Sequence, residues 1–205
     1  MIRDEKIIQE INTLWLPVYP YMVEYLLEVS AVRGGRFLDL GPFAGGLAVG
    51  VLRSRQDLAA TVIDESDVVL EWAREQAVGA GTVSRLTTLR AALEPLPAKD
   101  GAFDLVAVRG AFFFLTPALL REVARVLKPG GFGWVGGGYG PETPQRVIAP
   151  IAARSKVLNE AVGKRHLSPG EAERLVRESG LERSARVTTE GGLWIEVRVP
   201  REGAA

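Results

Sequence analysis

The sequence contains no cysteine, which excludes disulfides, thiolate nucleophiles, cysteine-ligated zinc and iron–sulfur clusters. Histidine occurs once, at His166, so a multi-histidine metal site is excluded and no metal is expected. Neither sign of charge is in excess. The 25 lysines and arginines face 25 aspartates and glutamates, and a net charge of zero gives no general pull towards nucleic acid or an anionic membrane. No apolar run approaches the ~20 residues that span a bilayer. The charged start Met1-Ile2-Arg3-Asp4-Glu5-Lys6 lacks the apolar stretch of a secretory signal. What is present is ordinary for a globular chain: 205 residues, 47% hydrophobic and 24% charged, enough for one sizeable core. The expectation is a cytoplasmic protein; nothing in the pattern bears on self-association.

The order of elements carries more information. Residues 5–14 mix polar and apolar positions as a short helix does, and Val23, Leu26 and Leu27 place a second helix over Tyr21–Val29. Strand-like runs follow at 36–40, 60–63, 84–89, 103–108 and 132–135, separated by helical stretches. Ser66 and Thr116-Pro117 are helix starts of the capped kind. Parallel strands joined by helix-length crossovers imply an α/β fold with helices on both faces of the sheet. The tail differs: Ser168-Pro169-Gly170-Glu171 has capping-box spacing, and two strand-like runs near 182–189 and 193–199 flank Glu190-Gly191-Gly192. That hairpin predicts an antiparallel strand near the sheet edge. The division expected is a helical appendage over residues 1–30, covering the substrate, and a Rossmann-like domain over 31–205.

In such sheets ligands sit beyond the carboxyl ends of the strands. Two features fall there. The loop Asp39-Leu40-Gly41-Pro42-Phe43-Ala44-Gly45-Gly46 lets backbone approach a ligand at a helix N-terminus. Asp64 ends the next strand, 23 positions after Gly41, where a carboxylate accepts both hydroxyls of a ribose. Taken singly, the first reads equally as a tight turn and the second as a helix cap. Together they point to a ribose-bearing ligand, without separating a nicotinamide cofactor from S-adenosylmethionine.

Phe37-Leu38-Asp39-Leu40-Gly41, then Asp64, Leu96-Pro97, Gly101-Ala102-Phe103-Asp104-Leu105-Val106 and Arg121-Glu122-Val123-Ala124-Arg125-Val126-Leu127-Lys128-Pro129-Gly130-Gly131 together resemble the class I S-adenosylmethionine-dependent methyltransferases. The similarity is strongest to the small-molecule branch that includes the ubiquinone/menaquinone methyltransferases. It implies a Rossmann-like three-layer sandwich with a mostly parallel seven-stranded sheet and one antiparallel strand near the edge. It also implies S-adenosyl-L-methionine as cofactor and a small molecule as substrate. By position, Asp39, Gly41, Phe43 and Gly45 would line the methionine end, Asp64 the ribose, and Ala92 and Leu93 the adenine. Arg109 would lie on the cofactor or substrate rim. Two residues depart from the family pattern. Phe43 replaces the second glycine of the GxGxG loop, and Ala92 stands where an acid often meets the adenine amino group.

On the acceptor side, Trp15, Tyr19 and Tyr21, the run Phe112-Phe113-Phe114, and the Gly136-Gly137-Gly138-Tyr139-Gly140 segment are the expected cover; Tyr19, Tyr21, Phe113 and Tyr139 are the substrate candidates. Of Phe112–Phe114, at least one is expected to be plain core packing. Consecutive glycines suggest close backbone approach to a ligand or a lid hinge. Residues 145–170 carry Arg146, Arg154, Lys156, Lys164 and Arg165, either for an anionic substrate group or as solvated helix faces. His166 is a candidate base, although a histidine beside Lys164-Arg165 also reads as a surface residue. No catalytic residue is assigned. The contrasting reading, motivated by Phe43 and Ala92, is a degenerate binding or regulatory module. A nicotinamide-dependent oxidoreductase fits the spacing Gly41-x3-Gly45-Gly46 poorly.

Overall fold

The structure, a computed structural model, describes Asp4 to Arg201. Seven strands form one sheet in the order β3-β2-β1-β4-β5-β7-β6. They are β1 (Gly35–Leu40), β2 (Leu58–Asp64), β3 (Leu86–Arg90), β4 (Phe103–Arg109), β5 (Leu127–Gly138), β6 (Ala185–Thr188) and β7 (Gly192–Arg198). The first five are mutually parallel, and β7 runs antiparallel to both β5 and β6. The strand order reverses between β1 and β4, so the ends of β1, β2 and β4 face one crevice.

Among the described residues seven α-helices cover the sheet: α1 (Glu5–Leu14), α2 (Tyr19–Ser30), α3 (Gly46–Ser54), α4 (Asp67–Gly79), α5 (Pro117–Val126), α6 (Gln145–Ala161) and α7 (Pro169–Glu178). Alternate strand residues sort into two cores, as the period of two requires. Phe37, Val62, Leu105 and Trp134 pack with α1–α4 and α6, whereas Leu38, Ile63, Val106 and Val135 pack with α5 and α7. The layers are therefore helix, sheet, helix. Ile8, Ile11, Trp15, Val18, Met22 and Leu26 of the N-terminal segment lie in the same core as Phe37 and Trp134. Among the described residues no helix is long and apolar enough to cross a membrane.

The caps show where local sequence set the elements. Thr116 accepts from the Leu119 N–H with Pro117 behind it, and Ser168 and Glu171 form a complete capping box. Ser66 makes no side-chain cap; its hydroxyl donates to Glu5 and ties α1 to the start of α4. The glycine segment after Val135 is also different from expectation. It is not a loop: β5 continues to Gly138, with Gly136 opposite Trp194 and Gly138 opposite Gly192. A Cβ at Gly136 would lie 2.3 Å from the Leu193 carbonyl oxygen, and one at Gly138 2.3 Å from that of Gly191. Gly136 and Gly138 admit the chain's own β7 and its turn, while Gly137 and Gly138 also line a cavity.

Candidate active site

Asp39, near the end of β1, is fully buried and organises the first crossover. Its Oδ2 accepts from the Gly45 N–H at 2.8 Å and the Ala48 N–H at 3.0 Å, which supplies the cap that Gly45 cannot provide for α3. Oδ1 is buried without a partner. Burial pushes the Asp39 carboxyl up to about 7, against the two N–H groups and the nearby Arg109 cation that favour its charged form. Gly41 takes φ 89°, and a Cβ there would lie 2.7 Å from Cζ of Phe114, whose ring covers this part of the loop. The loop backbone thus keeps a helix-capping course despite Phe43 in place of the usual glycine. The Phe43 ring turns inward, 1% exposed, beneath Gly110 and 5.2 Å from the Phe113 ring.

Asp64 ends β2 beside that loop. Its Oδ1 accepts from the Ser66 N–H at 2.8 Å, while Oδ2 is buried and has no partner. Burial raises its pKa to about 6. It is thus an acceptor held out of water with nothing donating to it, as is Asp39 Oδ1. Leu93 is buried in the second core near Leu96, and Ala92 is exposed.

Arg109, at the end of β4, is 3% exposed and lines a cavity. Nη2 donates to Asn12 Oδ1 (2.6 Å), the Tyr19 hydroxyl (2.8 Å) and the Phe43 carbonyl (3.1 Å); Nε donates to the same carbonyl at 3.2 Å. Its guanidinium lies 4.7 Å from the Trp15 ring and 5.2 Å from those of Tyr19 and Phe43. Burial lowers the Arg109 pKa and lifts the Tyr19 phenol to about 12, although the guanidinium opposes the second shift. Tyr19 is therefore a buried partner of Arg109. Tyr21, half-buried on α2, does not line the cavity.

That cavity, about 300 Å3, opens between the ends of β4 and β5 and the segment after α6. Trp15, Phe43, Phe113 and Tyr139 form its aromatic wall, with Trp15 and Tyr139 stacked at 4.7 Å. Lys164, Arg165 and His166 stand along another side. Arg154, grouped with these cations by sequence, instead pairs with Glu10 of α1. Ser155 accepts from Trp15 Nε1 at 3.0 Å and from Asn159 Nδ2 at 3.1 Å, fixing α6 over the cavity. The structure thus brings Phe43, Arg109, Phe113 and Tyr139 into one chamber, whereas Asp39, Gly41, Gly45 and Asp64 lie buried at the ends of β1 and β2 and do not line it. Asn12 and Ser155 escaped the sequence reading, since their partners are 97 and 140 positions away. Among the described residues no group of three His, Asp or Glu side chains is placed to hold a metal.

A buried strand-end acid beside a glycine turn, on a seven-stranded sheet with an antiparallel β7, defines the class I methyltransferase architecture. Comparison with known proteins agrees. Residues 38–135, just under half of the chain, match the methyltransferase domain family, and the chain is similar to the class I S-adenosylmethionine-dependent methyltransferases. It is 32% identical over 118 residues to the ubiquinone/menaquinone biosynthesis C-methyltransferase of Shewanella oneidensis; this match covers 56% of the chain and 47% of that relative, about half its length. To the corresponding enzyme of Xylella fastidiosa it is 28% identical, over 82% of the chain and 75% of the relative. A solved structure from Methanococcus maripaludis, assigned to the S-adenosylmethionine-dependent methyltransferases, superposes with a TM-score of 0.79 at 25% identity, covering 98% of this chain and 94% of that one. A methyltransferase structure from Aquifex aeolicus shares the fold, with a TM-score of 0.66 at 17% identity over 95% and 97% of the two chains.

Proposed function

We propose that the chain transfers a methyl group from S-adenosyl-L-methionine to a small, partly apolar acceptor held in the aromatic chamber. The observation that carries this reading is the unpartnered, buried Oδ2 of Asp64 at the end of β2, which fits a ribose hydroxyl. Asp64 would hold the sugar, Leu93 would flank the adenine, and Gly41 and Gly45 would lie against the methionine portion. Asp39 acts through the loop: by capping α3 it fixes the course of Gly41 to Gly45. The Phe114 ring, resting on Gly41, is the group that must swing aside for a nucleoside to lie along β1.

When bound, the cofactor supplies a methyl group on a sulfonium, open to in-line displacement. The protein then needs no covalent nucleophile of its own; it aligns the acceptor and excludes water. Trp15, Phe113 and Tyr139 provide flat apolar surface for that alignment, and α6 closes one side of the chamber. Calorimetric titration with S-adenosylmethionine and its demethylated product, on folded protein, tests the reading. Binding of both is expected, and binding of neither would favour a module without transfer activity.

A further inference from the structure

The chamber holds a buried cation, Arg109, whose hydrogen-bond partners among the described residues are all uncharged. Arg109 is buried among Trp15, Tyr19 and Phe43, and among the described residues no carboxylate lies within salt-bridge distance of it; only the field of Asp39 reaches it. A desolvated charge is costly unless paired. Three of its neighbours, Asn12, Tyr19 and the Phe43 carbonyl, use Nε and Nη2, and Nη1 makes no hydrogen bond to the described residues. Arg109 is also a lining residue of the cavity. The remaining charges there have the same sign bias: Lys156, Lys164 and Arg165 against Glu160 alone, which sits 3.9 Å from Lys156.

We infer that the acceptor is a flat aromatic or similarly apolar anion, its carboxylate paired with Nη1 of Arg109 and its ring among Trp15, Phe113 and Tyr139. This deepens the methyltransferase reading and rests on it for the word acceptor; the anion site itself stands on the cavity. A guanidinium presents donors in the planar array that a carboxylate matches. The aromatic walls supply the ring contacts, and the outer lysines and arginine draw an anion in.

The test uses 2-naphthoate and the uncharged 2-naphthamide, titrated into the wild-type protein without cofactor and followed by calorimetry and tryptophan fluorescence. Naphthoate is expected to bind at least tenfold more tightly. That preference should survive 0.5 M sodium chloride, because a buried pair is screened far less than an exposed one. The double variant Lys164→Gln/Arg165→Gln, altered only at the cavity mouth, should retain it. Arg109→Met, where circular dichroism shows it folded, should lose it; if that variant does not fold, the salt series and the double variant decide. Equal affinity for the two probes, or a preference abolished by salt or by the double variant, overturns the inference. So does displacement of naphthoate by S-adenosylhomocysteine, which would assign Arg109 to the cofactor's own carboxylate. Failure to bind S-adenosylmethionine with the anion preference intact would instead count against the methyltransferase reading and leave the anion site standing.

Discussion

The Phe43 carbonyl accepts from both Nε and Nη2 of Arg109, at 3.2 and 3.1 Å, and so locks the crossover after β1 to the end of β4. The residue that departs from the family's glycine pattern thus contributes its backbone carbonyl to this lock, while its ring packs in the core beside the cavity. Replacing Arg109 with Met leaves that carbonyl and the Tyr19 hydroxyl without their donor in a buried setting. We expect a loss of about 2–4 kcal/mol, read as a lower urea midpoint with an unchanged slope.

The Asp64 carboxyl, raised by burial to about 6, makes opposite demands on stability and binding. Its folded pKa lies above the unfolded value, so protonation stabilises the fold; that contribution is full below about pH 4 and is lost as pH rises through about 6. Asp64→Asn has no such titration. The melting temperature of the wild type relative to this variant should therefore fall by on the order of 5 °C between pH 4 and pH 7.5. Cofactor affinity of the wild type should rise over the same interval, as the carboxylate becomes a full acceptor. A flat difference in melting temperature would show that Asp64 is not desolvated.

Gly138→Ala places a methyl 2.3 Å from the Gly191 carbonyl oxygen and 2.4 Å from Cα of Gly192, so β5 and β7 must separate locally. A loss of about 2–4 kcal/mol is expected from denaturant unfolding. Gly79, at the end of α4, meets nothing within 4 Å, and Gly79→Ala should gain up to about 1 kcal/mol. Equal effects at the two positions would contradict the strand assignment of the glycine segment.

Phe114→Ala removes the ring that rests on Gly41. Its expected cost to the apo fold is about 1–2 kcal/mol, because the ring is only partly buried against the second core. Cofactor should bind the variant at least as tightly as the wild type, measured by calorimetry. A large loss of affinity would make Phe114 part of the nucleoside seat instead of its cover.

Much of this was legible in the chain. Alternation of strand and helix gave the parallel sheet, and Glu190-Gly191-Gly192 gave the antiparallel hairpin, because both depend on local periodicity and turn chemistry. The pair Gly41 and Asp64 stood out because the fold fixes where the ends of β1 and β2 lie. The continuation of β5 through the glycine segment was not legible for the complementary reason: the need for small residues at Gly136 and Gly138 comes from β7, more than fifty positions later. Helix α6 was obscured by Pro150 and by a face rich in charge, and with it went Ser155 as the anchor of Trp15. The burial of Arg109 was not foreseeable either, since its aromatic box and Asn12 come from the N-terminal helices and the first crossover.

Titration of S-adenosylmethionine into wild-type protein and Asp64→Asn at pH 7.5 bears most directly on the seat at the ends of β1 and β2. One cofactor per chain should bind the wild type, and at least tenfold more weakly to the variant, whose amide still accepts from Ser66 but cannot accept two ribose hydroxyls as a carboxylate does. Equal affinity in the two proteins, with both folded, would contradict the account.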